Sequence, residues 1–466
     1  MDTSDQFGPS QRALKAQERG LAWNLMEELH HRPQFDRAKR PDGMINLSGA
    51  LNSLMTDWMD EYVKEASQEL KLVETLSYGS ISGTPELLTA AATFFNTFFN
   101  PSIPINRNQI LATNGVTSLI DLVAWSICNP GDTVLYPTPT FYMLNFNLAA
   151  RSGVHTYPVS CTEMQDPFGQ NNPNELISAL EGAASAAEAT GRTRCRMLVI
   201  CNPANPQGRS YSHEALCAMA EFCARRGMHL VVDEIYALSQ FEPQKDTPSG
   251  GFDSSSVSRV SSVLGVDTAL ALSTHSNVHC LYGLSKDFNL GGLRMGFYVT
   301  RNDRMLAAVK KSTWFTWVTN FSVTFATRFL QQTKNLHSYI SIYQARLSDA
   351  YRSASDALIQ HNIPFMRASA GLFIFVNLGK WLHYFKEANP SRGLGSSPNT
   401  YDKEMQLCLW LCDNGVFLNP GQFAESDQPG FFRLVFTAYP AGVIVLAIRR
   451  IRKALDKLEA RKISEK

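Results

Sequence analysis

The chain has 466 residues, enough for two or three domains at roughly 150 residues each. Hydrophobic residues make up 44% and charged residues 18%, so a large core can be buried. Lys and Arg number 43 against 42 Asp and Glu, and a net charge of +1 removes the electrostatic reason to expect a nucleic acid or an anionic membrane surface as partner.

The start, Met1-Asp2-Thr3-Ser4-Asp5-Gln6, is polar and acidic, which argues against a secretory signal. Residues 1 to about 45 read as an irregular arm with a helix over Arg12–His30. Short strands and helical patterns then alternate. Gln109–Ala112 is strand-like, and Leu119, Leu122, Val123 and Ile127 mark one face of the helix that follows. Thr133–Tyr136, Met197–Cys201, Leu230–Val232, Cys280–Leu284 and Met295–Val299 are further short apolar runs with breakers behind them. This alternation predicts a mostly parallel sheet covered on both faces. A long helical stretch over 323–361, a strand at Leu372–Leu378, a helix at Met405–Asp413 and a strand at Phe432–Phe436 predict a small α+β domain. Segments 183–193, 246–262 and 390–400 read as exposed loops from their Ala, Gly, Thr, Ser and Pro content. No apolar run approaches the roughly 20 residues that span a bilayer, so no membrane is expected as partner. The nine cysteines are scattered, with Cys408 and Cys412 on one helical face. Neither histidine nor a second cysteine pair accompanies them at zinc-site spacing, so they read as buried thiols in a reducing, cytoplasmic compartment, with no metal.

Within this frame several segments carry chemistry. Lys286 follows an apolar strand in Tyr282-Gly283-Leu284-Ser285-Lys286-Asp287, and Arg294 follows in Gly291-Gly292-Leu293-Arg294. An amine beside a guanidinium suits an aldehyde cofactor with a phosphate tail, which points to pyridoxal phosphate. Its pyridine nitrogen needs a buried carboxylate, and Asp233 ends the strand Leu230-Val231-Val232. Tyr236 and Asn205, the latter in Asn202-Pro203-Ala204-Asn205-Pro206-Gln207-Gly208, are donors for the ring oxygen. Thr113-Asn114-Gly115-Val116-Thr117 opens a helix and offers an anion site. Phe141, in a proline-stiffened loop, offers a ring to stack. Arg433, inside an apolar strand, calls for an anionic partner, either a substrate or a structural carboxylate. Taken singly, each segment has an ordinary alternative as an N-cap, a turn or a core aromatic.

Together, in this order, the segments resemble the class I/II aminotransferase family of fold-type-I pyridoxal-phosphate enzymes, nearest its 1-aminocyclopropane-1-carboxylate (ACC) synthase-like branch. Asn202 to Gly208, Asp233-Glu234-Ile235-Tyr236, Ser285-Lys286-Asp287, Gly291 to Arg294, Ala370-Gly371-Leu372-Phe373 and Phe432-Arg433 carry the resemblance, which runs from about Gly43 to near Lys457. It implies an α/β fold: a large domain with a mostly parallel seven-stranded sheet sandwiched by helices, plus a smaller α+β domain. The implied division is an arm over 1–45, a cofactor-binding domain over 46–320 and a small domain over 321–466. The resemblance further implies Lys286 as Schiff-base lysine and proton carrier, Asp233 on the pyridinium, and Asn205 and Tyr236 on the ring oxygen. Phe141 would stack on the ring, and Gly115, Val116, Thr117, Ser285 and Arg294 would serve the phosphate. Arg433 would bind the substrate carboxylate with Gly49, Ala50, Leu51 and Asn205 around it. Tyr78 would reach the phosphate of a neighbouring subunit, so a homodimer with shared sites is implied.

Three positions depart from that pattern. Gly283 stands where the family often has a phosphate-binding serine. Leu51 stands where ACC synthases have an acidic residue, and Ile81 where they have a tyrosine. The last two argue against cyclopropane formation. Transamination between an L-amino acid and a 2-oxo acid, in specialised metabolism, is the leading expectation. A C–S β-lyase on cysteine conjugates, or an ACC synthase-type α,γ-elimination, is the alternative. A non-catalytic cofactor-binding regulator ranks low, because Lys286 and Asp233 are both present and no DNA-binding module fits in 1–45.

Overall fold

The computed structural model describes residues 8–11, 13–14, 29, 31–69, 71–189, 191, 194–241, 261–386 and 402–464. The helix expected at Arg12–His30 and the loops expected at 246–262 and 390–400 lie almost wholly outside these residues.

Seven strands form the large sheet: β1 (Ile110–Thr113), β2 (Thr133–Thr138), β3 (His155–Ser160), β4 (Cys195–Cys201), β5 (His229–Asp233), β6 (Val278–Gly283) and β7 (Gly296–Thr300), in the order β1-β7-β6-β5-β4-β2-β3. All neighbours pair in parallel except β7, which runs antiparallel to both β1 and β6. The strands are short and apolar because both faces are covered. Met197 and Val199 point into one buried cluster, and Leu198 and Ile200 into the other. One cluster is closed by α3 (Val116–Ile127), α4 (Leu144–Ala149) and α7 (Asp303–Ser312). The other is closed by α1 (Thr56–Glu69), α2 (Pro85–Phe98), α5 (Asn174–Glu188), α6 (His213–Arg225) and the elements of the second sheet.

That second sheet has four short strands, β8 (Phe365–Met366), β9 (Phe373–Asn377), β10 (Asn419–Pro420) and β11 (Phe431–Val435), all antiparallel, in the order β10-β11-β9-β8. The helix α8 (Asn320–Gln331) packs against α2, and α9 (Thr333–Gln360), α10 (Lys403–Asp413) and α11 (Ala441–Ser464) lie around the second sheet. A fastening joins the two sheets: Tyr136 on β2 donates its hydroxyl to Glu425 at 2.7 Å, and Asn145 Nδ2 donates to the same carboxylate at 3.0 Å.

Two expectations need correction. The loop expected over 183–193 is helical as far as Glu188, with Ala184 fully buried. Its Ala-rich run is helix-forming rather than irregular, and the break comes only around Gly191, whose φ is +64°. The long helical stretch expected over 323–361 is helical but divides into two helices, because Gln332 leaves helical geometry at ψ 58°.

Candidate active site

The loops that leave the carboxyl ends of β1, β2, β4, β5 and β6 converge on one edge of the large sheet, where open α/β sheets bind ligands. The antiparallel β7 brings Arg294, just before its start, to the same edge.

Lys286 follows β6. Its amine donates to the carbonyl of Ala50 at 2.9 Å. Burial pulls its pKa down to about 8, the nearby Arg433 and Arg294 pull the same way, and Asp233 opposes them. The backbone under the amine is held from several directions. Asn52 Nδ2 donates to the carbonyls of Lys286 and Asp287 at 3.1 and 3.2 Å. The buried Asp287 carboxylate accepts from Ser239 Oγ, from Leu238 N at 3.1 Å and from Tyr282 OH at 3.0 Å. Tyr339 OH donates to the Asp287 carbonyl at 3.0 Å, and the Tyr343 hydroxyl lies 2.7 Å from Ser239 Oγ. Asp287 had no assigned role from sequence, although its place beside Lys286 was the available signal. Its partners come from four separate segments.

Asp233 ends β5 with 7% of its surface exposed. It accepts one backbone bond, from Ile235 N at 3.2 Å, and among the described residues no cation lies at ion-pair distance. Burial pushes its pKa up to about 7, against the pull of Ile235 N and Lys286. Glu234, facing the other way, accepts from Ser262 Oγ and Val263 N, both at 2.6 Å.

Arg433 on β11 is the converse case. It is buried, and burial lowers its pKa. Nη1 donates to Asn205 Oδ1 at 2.9 Å, and Nη2 to the carbonyl of Ser48. Nε has no partner, and among the described residues no carboxylate pairs with the guanidinium. Phe373 and Tyr142 flank it, with ring centroids 5.5 and 6.0 Å from its central carbon. Tyr142 and Phe373 were not singled out from sequence as neighbours of Arg433. Tyr236 is buried with its ring edge-on to Phe373 at 5.2 Å. Phe141 is half-buried, edge-on to Tyr142 at 5.1 Å.

Gly115 caps the start of α3 at φ +111°. A Cβ there would lie 2.7 Å from Arg294 Nη2, so the guanidinium sits directly over the helix start. Backbone N–H groups and a cation converge there, as an anion requires. Val116 is buried, Thr117 exposed and Ser285 half-buried beside this corner. Gly283, the departure from the serine pattern, has a packing cause. A Cβ would lie 2.9 Å from Val116 Cγ2 and 3.1 Å from the carbonyl of Met295. Gly283→Ser is therefore expected to cost about 1–3 kcal/mol of stability by overpacking, most of it recovered in Gly283→Ser/Val116→Ala. Urea unfolding of the two variants checks this, and a neutral Gly283→Ser would contradict it.

Leu51 is 60% exposed at the rim, beyond the carbonyl that holds the Lys286 amine. Tyr78 is 93% exposed and stacks on Trp317 at 5.4 Å, outside the crevice of its own chain. The crevice thus gathers Lys286, Asp233, Asn205, Tyr236, Phe141, Arg433, Ala50, Gly115 and Arg294, and leaves Tyr78 on the outside.

The buried ionisable groups predict the pH profile of cofactor-free protein. Burial also pushes the Glu234 and Asp287 carboxyls up to about 7. Together with Asp233 they keep protons in the fold that the unfolded chain releases near pH 4, so stability falls as pH rises from about 4 to about 7. Lys286 acts oppositely, since the fold releases its proton near pH 8 and the unfolded chain near 10.5, but above about pH 9 the buried thiols, whose pKa burial raises, cost stability in turn. The urea midpoint should therefore be lower at pH 7.5 than at pH 5. A midpoint that rises from pH 5 to pH 7.5 would show that these carboxyls are ionised in the fold.

A lysine at a strand end, a buried carboxylate lacking a cation, an anion corner and a buried arginine lacking an anion are what a pyridoxal-phosphate enzyme of fold type I requires. The family model "Aminotransferase class I and II" matches residues 42–451, and the chain belongs to that family, which works with pyridoxal phosphate. It is similar to 1-aminocyclopropane-1-carboxylate synthase 4 of Oryza sativa subsp. japonica, 27% identical over 436 residues covering 91% of this chain and 84% of that one. It is likewise similar to "Probable aminotransferase gliI" of Aspergillus fumigatus, 29% identical over 433 residues, 91% of this chain and 92% of that one. Among solved structures, the Pyrococcus horikoshii kynurenine aminotransferase in complex with PMP shares the fold with a TM-score of 0.73 at 17% identity, over 98% of each chain. The residues present fit the cofactor: an orphaned carboxylate for its ring nitrogen, an amine for its aldehyde and a glycine-floored cation corner for its phosphate.

Proposed function

We propose that this protein is an aminotransferase that moves an amino group between an L-amino acid and a 2-oxo acid, in specialised metabolism. The observation that carries the reading is Arg433, a buried guanidinium whose Nε has no partner and beside which no carboxylate lies among the described residues. Keeping such a cation dry is costly unless an anion arrives, and the α-carboxylate of an amino acid is the anion that would do so. Asn205 orients the guanidinium, and Gly49, Ala50 and Leu51 border the same space.

In this reading pyridoxal phosphate supplies the electron sink for the substrate's α-carbon when bound. Asp233 would keep the ring nitrogen protonated, and Asn205 and Tyr236 would serve the ring oxygen. Phe141 would stack on the ring, while Gly115, Val116, Thr117, Ser285 and Arg294 would hold the phosphate. Lys286, with its pKa near 8, takes the α-proton as a neutral amine and returns it. Leu51 beside the lysine offers no charge to a sulfonium group, which weighs against an ACC synthase reaction. The similarity to the Aspergillus protein supports an aminotransferase reading.

A β-lyase acting on cysteine conjugates is the second reading, favoured by the apolar Leu51 and Ile81 along a potential substrate arm. One screen separates the two. Amino acids and S-conjugates are supplied with and without a 2-oxo acid, and both amino-group transfer and release of pyruvate with thiol are measured. Pyruvate and thiol release without an oxo acid would replace the transamination reading with the lyase one.

The proposal includes a cytoplasmic homodimer and the division at residues 45 and 320. Tyr78, stacked on Trp317, which meets Trp314 at 5.8 Å, belongs to an exposed apolar surface with Val73, Leu76 and Phe315, as a subunit contact requires. Among the described residues no helix is long and apolar enough to cross a membrane.

A further inference from the structure

Away from the crevice, α6 opens on Ser212, whose Oγ accepts from Ala215 N at 3.0 Å. This start places His213 and Cys217 one turn apart on the same helical face. Opposite them runs the segment that leads into β6, and Asp267 projects from it. His213 Nε2 lies 3.5 Å from Cys217 Sγ, and Asp267 Oδ1 lies 3.9 Å from the same sulfur. The three ligand atoms all fall within 4.8 Å of one another.

Those separations have a chemical meaning. A tetrahedral zinc ion with bonds of about 2.3 Å to sulfur and about 2.0 Å to nitrogen or oxygen sets its ligand atoms about 3.5 Å apart. The His–Cys edge already has that length, and the Cys–Asp edge exceeds it by a few tenths of an ångström. Imidazole, thiol and carboxylate are the donors that borderline divalent ions prefer. The neighbouring charges at Cys217, Glu214 and Glu221, are also acidic and favour a cation. His213 and Asp267 are exposed and Cys217 is half-buried, so an ion can reach all three, whereas the other eight cysteines are buried.

The ligands stand on held backbone. Val266 N donates to the Val263 carbonyl at 3.1 Å, Leu272 N to the Thr268 carbonyl at 3.1 Å, and Ser102 N to the Leu264 carbonyl at 3.1 Å, which fixes the chain on both sides of Asp267. Two of the ligands come from α6 and the third from another segment, so an ion would cross-link them. The same segment carries Ser261 and Ser262. Asn202 Nδ2 donates to the Ser261 carbonyl at 2.6 Å, and Ser262 bonds Glu234, the neighbour of Asp233. A link at Asp267 would stiffen the support behind the strand ends that carry the crevice.

We propose that His213, Cys217 and Asp267 form a binding site for a zinc-class divalent cation, with water in the fourth position. Binding replaces the Cys217 thiol proton, which passes to solvent as the thiolate ligates. The role is a staple between α6 and the chain entering β6, distinct from the catalytic crevice.

The test uses untagged full-length holoenzyme and Co2+ as the spectroscopic probe. Wild type should develop thiolate-to-cobalt charge transfer and the visible bands of a tetrahedral ion, saturating at one equivalent and displaced by Zn2+. Cys217→Ser should abolish the charge-transfer band, and Asp267→Asn should weaken binding by more than about tenfold, since even partners outside a ligand shell are worth that much. Zn2+ should raise the melting temperature of wild type and leave that of Cys217→Ser unmoved. Absence of the band in wild type under excess Co2+, or its survival in Cys217→Ser at equal affinity, would overturn the proposal. Neither result would touch the crevice, because none of the three ligands belongs to it.

Discussion

Lys286→Ala is expected to reduce turnover by about 10⁴-fold, the upper end of what a positioned proton carrier contributes. The reason is geometric. The amine sits between the Ala50 carbonyl, which accepts its proton at 2.9 Å, and the charges of Arg433, Asp233 and Arg294, which set its pKa near 8. Among the described residues, no other lysine is placed in the crevice to take over. The variant should keep its fold, because the Asp287 bonds that hold this backbone do not involve the lysine side chain. It should also keep reversible affinity for pyridoxal phosphate through the Gly115–Arg294 corner, but lose the hydride-reducible covalent link. Single-turnover kinetics and borohydride trapping followed by mass analysis check both points. Full activity in the variant would refute the assignment.

The second large effect is expected at Asp233. Lifting its pKa from 3.8 to about 7 corresponds to roughly 4 kcal/mol held against the ionised form in the bare protein. A cation placed against the carboxylate would release much of that cost, and the protonated ring nitrogen is such a cation. Asp233→Asn keeps the shape and removes the charge. Turnover should fall by about 10³-fold, a share of the same roughly 4 kcal/mol. Affinity for the cofactor should weaken, while the urea midpoint of the cofactor-free protein at pH 7.5 should rise, because a desolvated carboxylate is gone. Opposite signs with and without cofactor are the signature. A midpoint that drops in the cofactor-free variant would show that Asp233 is paired by the protein itself.

Much of this arrangement is legible in the chain because it is local. The strands of the large sheet are short apolar runs with breakers behind them, and the crevice residues follow those breakers directly. Asp233, Asn205, Phe141, Gly115 and Lys286 could therefore be placed at strand ends without knowing which strands neighbour one another. Arg433 was legible because a guanidinium inside Phe431-Phe432-Arg433-Leu434-Val435 needs an explanation. What could not be read depends on long-range meetings. The partners of Asp287 come from Asn52, Leu238, Ser239, Tyr282 and Tyr339, and no spacing brings those together. Glu425 reaching Tyr136 crosses 289 positions. Asp267 lies 50 positions from Cys217, so no spacing marks it as a neighbour of His213 and Cys217. The helix running to Glu188 was missed for a local reason: Gly and Thr in the composition outweighed its alanines.

The fastening of residues 286 and 287 has a consequence for how this catalyst can be altered. With Asn52 and Tyr339 gripping the main chain, and Ser239 and Tyr282 holding the Asp287 carboxylate, the nucleophile's travel is confined to rotation about its own methylene bonds. The reach of that swinging arm is then fixed, and reaction outcome is decided by what lies within its arc. Evolution or design that wished to divert this scaffold from one product to another would leave the pivot alone and repaint the rim, starting at Leu51.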